Sequence, residues 1–539
     1  MRRWNGWGDD SVTYPLPPTA RDYIERILGR GSLIQDASLQ DSLASVPSSR
    51  FPAHPHIKTD PFERLTHARG QSLPDWIALR SGRILNYPDG VAYPQDRSDL
   101  IDLLNFSRDS GAILIPYGGG TSVVGHINPL PSSDPVLTVD LSHLNHLLDL
   151  DETSRLASFE AGISGPQIEK ILNARGYTLG HFPQSFELST LGGWIATRSS
   201  GQQSYHYGRI EDLFAGGRME TFHGPLDMPV HPASAAGPDI KQIILGSEGR
   251  LGIISSAAVR IQPLPEVESF QAAFFHDWQS GSDAVREIAQ AGISVSMLRL
   301  SNSLETETTL ALSGKDDLVR WADRALNWIR YDQDRCLLIY GLTGDRKTVR
   351  FASRQAAQVI RSHAGLPTGS TIGKMWRKSR FLSPYLRNSL WKAGFALDTL
   401  ETALPWSKVH SCALDVLNSL KHGLQSLEEH VLVFAHLSHV YRDGASLYVT
   451  YLYRRSSDPD QTLHRWQLLK SAASQVIISH QGTISHQHGV GVDHRDYLVE
   501  EKGVIGIQML KAIDQYMDPT GTLNPGKLFP DGSLDEVEK

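Results

Sequence analysis

The side chains best suited to acid–base chemistry gather late in this chain. His486 and His488 alternate in Ser485-His-Gln-His-Gly-Val-Gly491, and an extended segment sets both imidazoles on one face; His436 and His439 lie in a separate strand-like run. A His-x-His pair is a spacing that a metal could use, but no carboxylate or cysteine accompanies it at ligand spacing, so no metal is expected. Tyr448 follows Asp443-Gly444-Ala445 in a strand pattern. On residues alone a proton-transferring phenol and a ring packed in a sheet are both open. Arg299, between Leu298 and Leu300, needs an anionic partner if buried, and Arg387 is a second candidate cation. For both, a structural ion pair is the alternative.

A different chemistry is written earlier, in glycine. Pro116-Tyr-Gly-Gly-Gly-Thr-Ser122 follows the apolar run Ala112-Ile-Leu-Ile115 directly, so a buried strand empties into a tight loop. Such a loop turns main-chain N–H groups toward one point, a concavity that suits a phosphate or pyrophosphate. It is neither G-x-G-x-x-G nor a Walker loop, and an ordinary glycine-rich turn is the other reading. Three further stretches of the same character follow: Gln184 to Thr190 leading into Gly192-Gly193, Thr197 to Gly201, and Gly246-Ser-Glu-Gly-Arg-Leu-Gly-Ile-Ile254. Together they describe a long groove for a dinucleotide gripped largely by backbone.

The elements that must hold these residues are read from pattern. At 539 residues the chain suggests two or three domains. Its net charge of −7 argues against nucleic-acid binding, and its two cysteines, Cys336 and Cys412, fit a reducing compartment with no disulfide framework. The start lacks the apolar core of a signal peptide and no stretch has transmembrane length, so a cytoplasmic protein is expected, with peripheral membrane attachment left open. Residues 1–83 look like a wrapping segment with a helix near Asp22 to Leu28. Residues 84–265 alternate strands and helices, with Ser98 capping a helix that closes at Gly111, as an α/β unit ending at Pro263-Leu-Pro265. Residues 266–475 read as α+β, an antiparallel sheet with helices on one side, including helices near Asp283 to Ala291 and Asp317 to Arg330. Residues 476–539 carry the histidine segment and a helix around Gly506 to Met517, and pack back on the first unit.

P-x-G-G-G-T-S, S-T-x-G-G-W-x-x-T-R and G-S-E-G-x-L-G-I-I together resemble the FAD-binding domain of the vanillyl-alcohol oxidase (PCMH) type. Within that superfamily the chain is most similar to the alkyldihydroxyacetonephosphate (alkylglycerone-phosphate) synthase family. Trp4 to Gly8, Gly237-Pro-Asp-Ile240, Pro405-Trp406, Gly444 to Tyr448 and Ser485 to Gly491 extend the resemblance over nearly the whole chain.

The resemblance implies an α/β FAD-binding domain with an α+β cap over the flavin, and FAD held non-covalently. The matching segments are Pro116, Tyr117, Gly118, Gly119, Gly120, Thr121 and Ser122; Gln184, Ser185, Ser189, Thr190 and Gly193; Thr197, Arg198, Ser199 and Ser200; and Glu248, Gly249, Leu251, Gly252, Ile253 and Ile254. It implies a transferase of ether lipid biosynthesis that exchanges the acyl group of acyl-dihydroxyacetone phosphate for a fatty alcohol through a flavin N5 adduct. Tyr448 matches the family's proton-transferring tyrosine, Arg387 its substrate-phosphate arginine, and His486 and His488 the first and third members of a three-histidine run; Arg299 joins the catalytic candidates. The middle position is Gln487, a substrate-binding candidate whose amide can hydrogen-bond but cannot titrate. The alternative is an FAD-linked oxidoreductase acting on a 2-hydroxy acid or alcohol. The basic and aromatic stretch Lys374 to Arg387 suits either a membrane contact for lipid substrates or a solvated helix face. Oligomeric state is left open, a homodimer included.

Overall fold

The computed structural model describes residues 1–52, 54–312 and 334–529. The helix expected over Asp317 to Arg330 lies outside them.

The apolar run ahead of the glycine loop is a strand in a four-stranded sheet. In chain order its members are β1 (Ile57–Lys58), β2 (Gly90–Ala92), β3 (Ile113–Tyr117) and β4 (Val136–Asp140), arranged β1-β2-β4-β3. β4 runs parallel to both β2 and β3. Leu114, Leu137 and Val139 are fully buried, as strands covered on both faces require. The crossover helix Arg97–Ser110 is capped by Asp96, not by the expected Ser98. The Asp96 carboxylate accepts from Asp99 N, and Ser98 donates its own hydroxyl to Asp96, so the carboxylate one residue earlier takes the capping place.

The next strands depart from simple alternation. β5 (Leu147–Asp151), β6 (Leu156–Glu160), β8 (Phe214–Thr221), β9 (Gly224–Met228) and β10 (Ile253–Arg260) form an antiparallel sheet in the order β5-β6-β10-β8-β9, and β7 (Tyr177–Thr178) pairs with β11 (Gln262–Pro263). Short connections such as Phe222-His223 leave no room for a crossover helix, which forces antiparallel neighbours. The two sheets face separate cores, one under Leu100, Leu104 and Leu114, the other around Phe159, Trp194 and Phe214.

The second half is built on one antiparallel sheet of β12 (Val267–Phe275), β13 (Met297–Ser301), β14 (Cys336–Gly344), β15 (Leu366–Gly369), β16 (Phe395–Pro405), β17 (Leu432–Val440) and β18 (Gly444–Arg454), in the order β15-β12-β14-β13-β17-β18-β16. Alternation divides its side chains. Leu298, Leu338, Leu400, Val433 and Val449 point to one face, where the helices Trp278–Gln290, Arg346–Ser362, Trp406–His422 and Pro459–Ser479 bury it. The expected one-sided cover is incomplete: the helices Pro18–Leu28, Thr371–Ser379 and Ser383–Lys392 pack on the rim of the opposite face, against Phe434 and Leu452 at one end and Phe270 and Phe274 at the other. The centre of that face, with Arg299, His436 and Tyr448, is left to line a cavity.

Both termini tie this assembly together. Trp7 exchanges main-chain hydrogen bonds with the Asn388 side chain, and Arg2 donates to the Gly119 carbonyl at 2.8 Å. The last helix begins at Leu498, earlier than expected, and runs to Met517 with a break at Gly503, where φ is +69°. Beyond it, Thr522 and Asn524 hydrogen-bond Leu114 on the free edge of β3.

Candidate active site

A cavity of about 1140 Å³ lies between the glycine-rich segments and the open face of the large sheet. That exceeds the roughly 300–1000 Å³ usual for a small-molecule pocket, and leaves room for a cofactor and a substrate together.

Its first wall is the glycine loop. A side chain at Gly119 would strike the Leu188 carbonyl and one at Gly118 the Thr190 hydroxyl, so only glycine lets the 116–122 and 184–190 segments approach. Among the described residues the amide nitrogens of Gly119, Gly120, Thr121 and Ser122 have no hydrogen-bond partner. Thr190 caps the helix Leu191–Thr197 by accepting from Gly193 N, and Gly192, Gly193, Thr197, Ser199 and Ser200 continue the wall. A cradle of unpaired amides beside hydroxyls and glycines fits the phosphates and extended body of a dinucleotide such as FAD.

Most expected cofactor residues line this wall, including Pro116 to Ser122, Gln184, Ser185, Ser189, Thr190, Glu248, Gly249, Gly252 and Ile254. Arg198, Leu251 and Ile253 do not. Arg198 is a helix C-cap at φ +53°, donating to the carbonyls of Leu245 and Gln242 and paired with Glu211. Leu251 and Ile253 are buried in separate cores, Leu251 in the one that holds Ile254 and Ile253 in the other. Glu248 has a second task. Its carboxylate accepts from Val490 N and from Gly491 N, binding the histidine loop to the first domain. Gly489, at φ +78°, makes room for it beside His126.

The opposite wall carries the titratable groups. Register sets Glu401, Tyr448 and His436 side by side across β16, β18 and β17. The Tyr448 ring stacks on His436 at 4.9 Å and meets His488 edge-on at 6.0 Å. Burial pushes the phenol above its ordinary range, so it is a protonated donor through neutral pH. Arg299 donates to Glu305 and to His436 Nε2, each at 2.7 Å. Because a guanidinium only donates, His436 accepts there and keeps its proton on Nδ1, facing Glu305 Oε1 at 3.0 Å. Burial alone would raise the Glu305 carboxyl, but His436 and Arg299 hold it down to about 2. The Arg299 charge is thus taken up by a residue of this chain.

Arg387 differs. Partly buried, it donates Nη1 to the Gln71 carbonyl and lies 4.4 Å over the Trp76 ring, while Nε and Nη2 have no partner among the described residues. Desolvation lowers its pKa without removing its charge at neutral pH. Arg387 lines the cavity and keeps two donors that no group among the described residues takes up, which makes it a candidate to hold an anion.

His486 and His488 separate. His488 and Gln487 line the cavity; His486 stands behind them, its Nε2 2.6 Å from the Tyr441 hydroxyl and its Nδ1 3.2 Å from Glu401 Oε1. Alternation does not keep them on one face, because the backbone bends through residues 486–488 instead of running extended. Burial lowers His488 and holds His439 down to about 3, so both imidazoles are neutral near pH 7.

Glu401 was missed in the sequence, where only a charge inside the apolar run of β16 signals it. It joins His439 and His486 in a group whose ligand-type atoms lie within 4.8 Å, so a carboxylate does accompany these histidines, brought by a distant strand. Glu401 Oε1 already accepts from the hydroxyls of Ser438 at 2.5 Å and Ser446 at 2.7 Å, and Oε2 from Gln487 Nε2 at 2.6 Å. The carboxylate is filled as the hub of a hydrogen-bond network. Burial would raise it, but His486 beside it holds it well below the usual range.

Much of the remaining lining is apolar: Phe274, Met297, Leu337, Ile339, Leu397, Phe434 and Leu452 on the sheet, and Ile372, Met375 and Trp376 from the helix Thr371–Ser379; Lys378, Arg380 and Asp398 add charge to it. Among the described residues no helix is long and apolar enough to cross a membrane.

Comparison with known proteins agrees with this geometry. A family model described as an FAD binding domain matches residues 88–224, and one described as FAD linked oxidases, C-terminal domain, matches residues 264–528. The alkyldihydroxyacetonephosphate synthase of Caenorhabditis elegans is 30% identical over 98% of this chain and 95% of its own, and that of Dictyostelium discoideum 29% identical over 98% and 93%. A solved alkyldihydroxyacetonephosphate synthase structure superposes with a TM-score of 0.83 at 28% identity, covering 97% of this chain and 98% of that one.

Proposed function

The chain belongs to the alkyldihydroxyacetonephosphate synthase family, and from that premise we propose that it is an FAD-dependent transferase exchanging the acyl group of acyl-dihydroxyacetone phosphate for a long-chain alcohol. The observation that carries this reading is one cavity joining an unpaired backbone cradle, an arginine with two free donors and a long apolar wall. A phosphate, a dinucleotide and an alkyl chain each have a place in it. A 2-hydroxy-acid oxidoreductase needs no such apolar length and is less well supported.

Bound at residues 116–122, 184–200 and 248–254, FAD supplies an electrophilic ring nitrogen and a reversible store for an electron pair. The chain's own residues do the rest. Arg387, a cation lining the cavity, holds the substrate phosphate. Tyr448 keeps its proton and gives or orients it at the phenolic oxygen, while the neutral His488 ring accepts one. Arg299 and Glu305 fix the His436 tautomer beneath the Tyr448 ring. Phe274, Ile339, Phe434 and their neighbours take the acyl and alkyl chains and exclude water. The helix Thr371–Ser379, with Ile372, Met375 and Trp376 inward and Lys374, Arg377 and Lys378 exposed, is where we place contact with a lipid surface.

Incubating the FAD-loaded protein with acyl-dihydroxyacetone phosphate and a radiolabelled long-chain alcohol tests the reading. Label appears in an ether product and free fatty acid is released in equal amount; flavin bleaching by a 2-hydroxy acid with no ether product refutes it.

A further inference from the structure

An exchange of a fatty acyl group for a fatty alcohol presents one apolar tunnel with two ligands that differ only at the head. The alcohol offers a hydroxyl, which donates and accepts; the departing acid is a carboxylate, which only accepts. Whatever polar atom faces the head group decides which is preferred. In this cavity Gln487 supplies such an atom, and its orientation is fixed from behind.

Glu401 is ionised and fully enclosed, so it has no proton to offer. The Gln487 group 2.6 Å from its Oε2 is therefore the amide NH₂, and the amide oxygen is left to face the cavity. No flip is available, since Ser438 and Ser446 already fill Glu401 Oε1 and a carbonyl turned to the carboxylate would set two acceptors in contact. Among the described residues the Gln487 amide oxygen has no hydrogen-bond partner. The cavity thus sees an acceptor backed by a buried negative charge.

Building on the exchange reaction proposed above, we propose that Gln487 is a specificity-determining residue that favours a fatty alcohol over a fatty carboxylate in the chain-binding part of the site. A hydroxyl donates to the amide oxygen; a carboxylate meets an acceptor and, one bond behind it, the Glu401 charge. The released acid is disfavoured at the place its successor must occupy. The charged and titratable groups around this position are Glu401 and Asp398 on β16, His439 on β17, Tyr448 on β18, Lys470 on the helix Pro459–Ser479, His486 and His488 on its own loop, and Arg209, whose guanidinium is engaged by the carbonyls of Arg198 and His486. The last two ring systems do not reverse the preference: His488 is neutral, and His486 is turned away toward Tyr441 and Glu401. A histidine at 487 would behave differently. Beside Glu401 it would gain a proton as pH falls through about 6.5 or above, and an imidazolium would welcome a carboxylate.

The test measures binding of 1-decanol and of decanoate to the FAD-loaded protein, by competition for the cavity, in the natural chain and in Gln487→His and Gln487→Leu. Flavin absorbance and thermal midpoint are recorded for each as a check on folding. The natural chain binds decanol roughly ten-fold tighter than decanoate, the worth of about one hydrogen bond, with little change between pH 8 and 6. Gln487→Leu loses that preference through weaker decanol binding. Gln487→His, which keeps a donor for Glu401, retains decanol binding at pH 8 but gains several-fold in decanoate affinity by pH 6. Equal binding of the two probes by the natural chain, or a Gln487→His variant whose pH response matches it, overturns the inference. Because binding is read without turnover, a natural chain that prefers decanol yet makes no ether product would sink the exchange reading and leave this preference standing.

Discussion

Replacing Arg387 by methionine separates a binding arginine from a structural one, because the two roles predict opposite balances. In the fold Arg387 makes one hydrogen bond, to the Gln71 carbonyl, and lies over Trp76; its other donors Nε and Nη2 are unpaired. Methionine removes a bond worth about 1.5–3 kcal/mol and a ring contact worth about 0.5–2 kcal/mol, but also relieves the cost, up to about 3 kcal/mol, of a partly desolvated charge that Asp398 and Asp75 only partly offset. The terms nearly cancel, and methionine's length keeps the apolar packing on Trp76. The thermal midpoint of the substrate-free protein therefore stays put or rises. A bound phosphate, by contrast, loses two charge-assisted hydrogen bonds, about 3–6 kcal/mol, so its Kd rises by about 10²–10⁴-fold. The assay is thermal unfolding of Arg387→Met with and without saturating acyl-dihydroxyacetone phosphate, alongside direct titration of that ligand. A variant that melts several degrees lower yet binds the phosphate ester as before would show the charge to be structural, and the reasoning from its unpaired donors would fail.

Other perturbations reach the remaining parts. Tyr448→Phe keeps the stack on His436 and the flavin absorbance but loses turnover by about 10²-fold or more, because only the proton-bearing oxygen is removed; unchanged turnover would end its role. Gly119→Ala drives a methyl group into the Leu188 carbonyl, and with a strain of about 1–3 kcal/mol at the cradle the protein is isolated with its FAD content reduced at least several-fold; full loading would contradict the close approach. Burial holds His181 and His439 down to about 3 and lowers His436, His488 and His494. Between about pH 6.5 and 3 the unfolded chain binds protons that the fold refuses, so stability falls with falling pH by up to about 1.4 kcal/mol per pH unit for each such histidine. The urea midpoint should drop from pH 7.5 to 5.5, and a flat profile would mean these rings are protonated in the fold.

The glycine segments were legible because their chemistry is local: a run of glycines after an apolar strand constrains the backbone wherever the rest of the chain goes, and Gly118, Gly119 and Gly120 sit where the motif put them. Tyr448 and Arg387 were legible as residues but not as a site, since Arg387 reaches the cavity only through Trp76 and Gln71, over three hundred positions away. Glu401 was invisible for a related reason. An acid in an apolar strand announces burial but not its partners, and those come from β17, β18 and a loop of the terminal segment through sheet register that no periodicity encodes. His486 shows the converse: its spacing from His488 promised a shared face, and a bend through residues 486–488 set it behind the wall. The pattern has a physical source. Main-chain cradles are specified by residues adjacent in sequence, while a proton-handling network is specified by which strands lie side by side. Glu248 joins the two levels: it belongs to a local glycine motif, and its carboxylate grips the amides of Val490 and Gly491. Through that grip the placement of Gln487 and His488 against the large sheet depends on the domain that holds the cofactor, so loss of the cofactor cradle should loosen the acid–base wall as well.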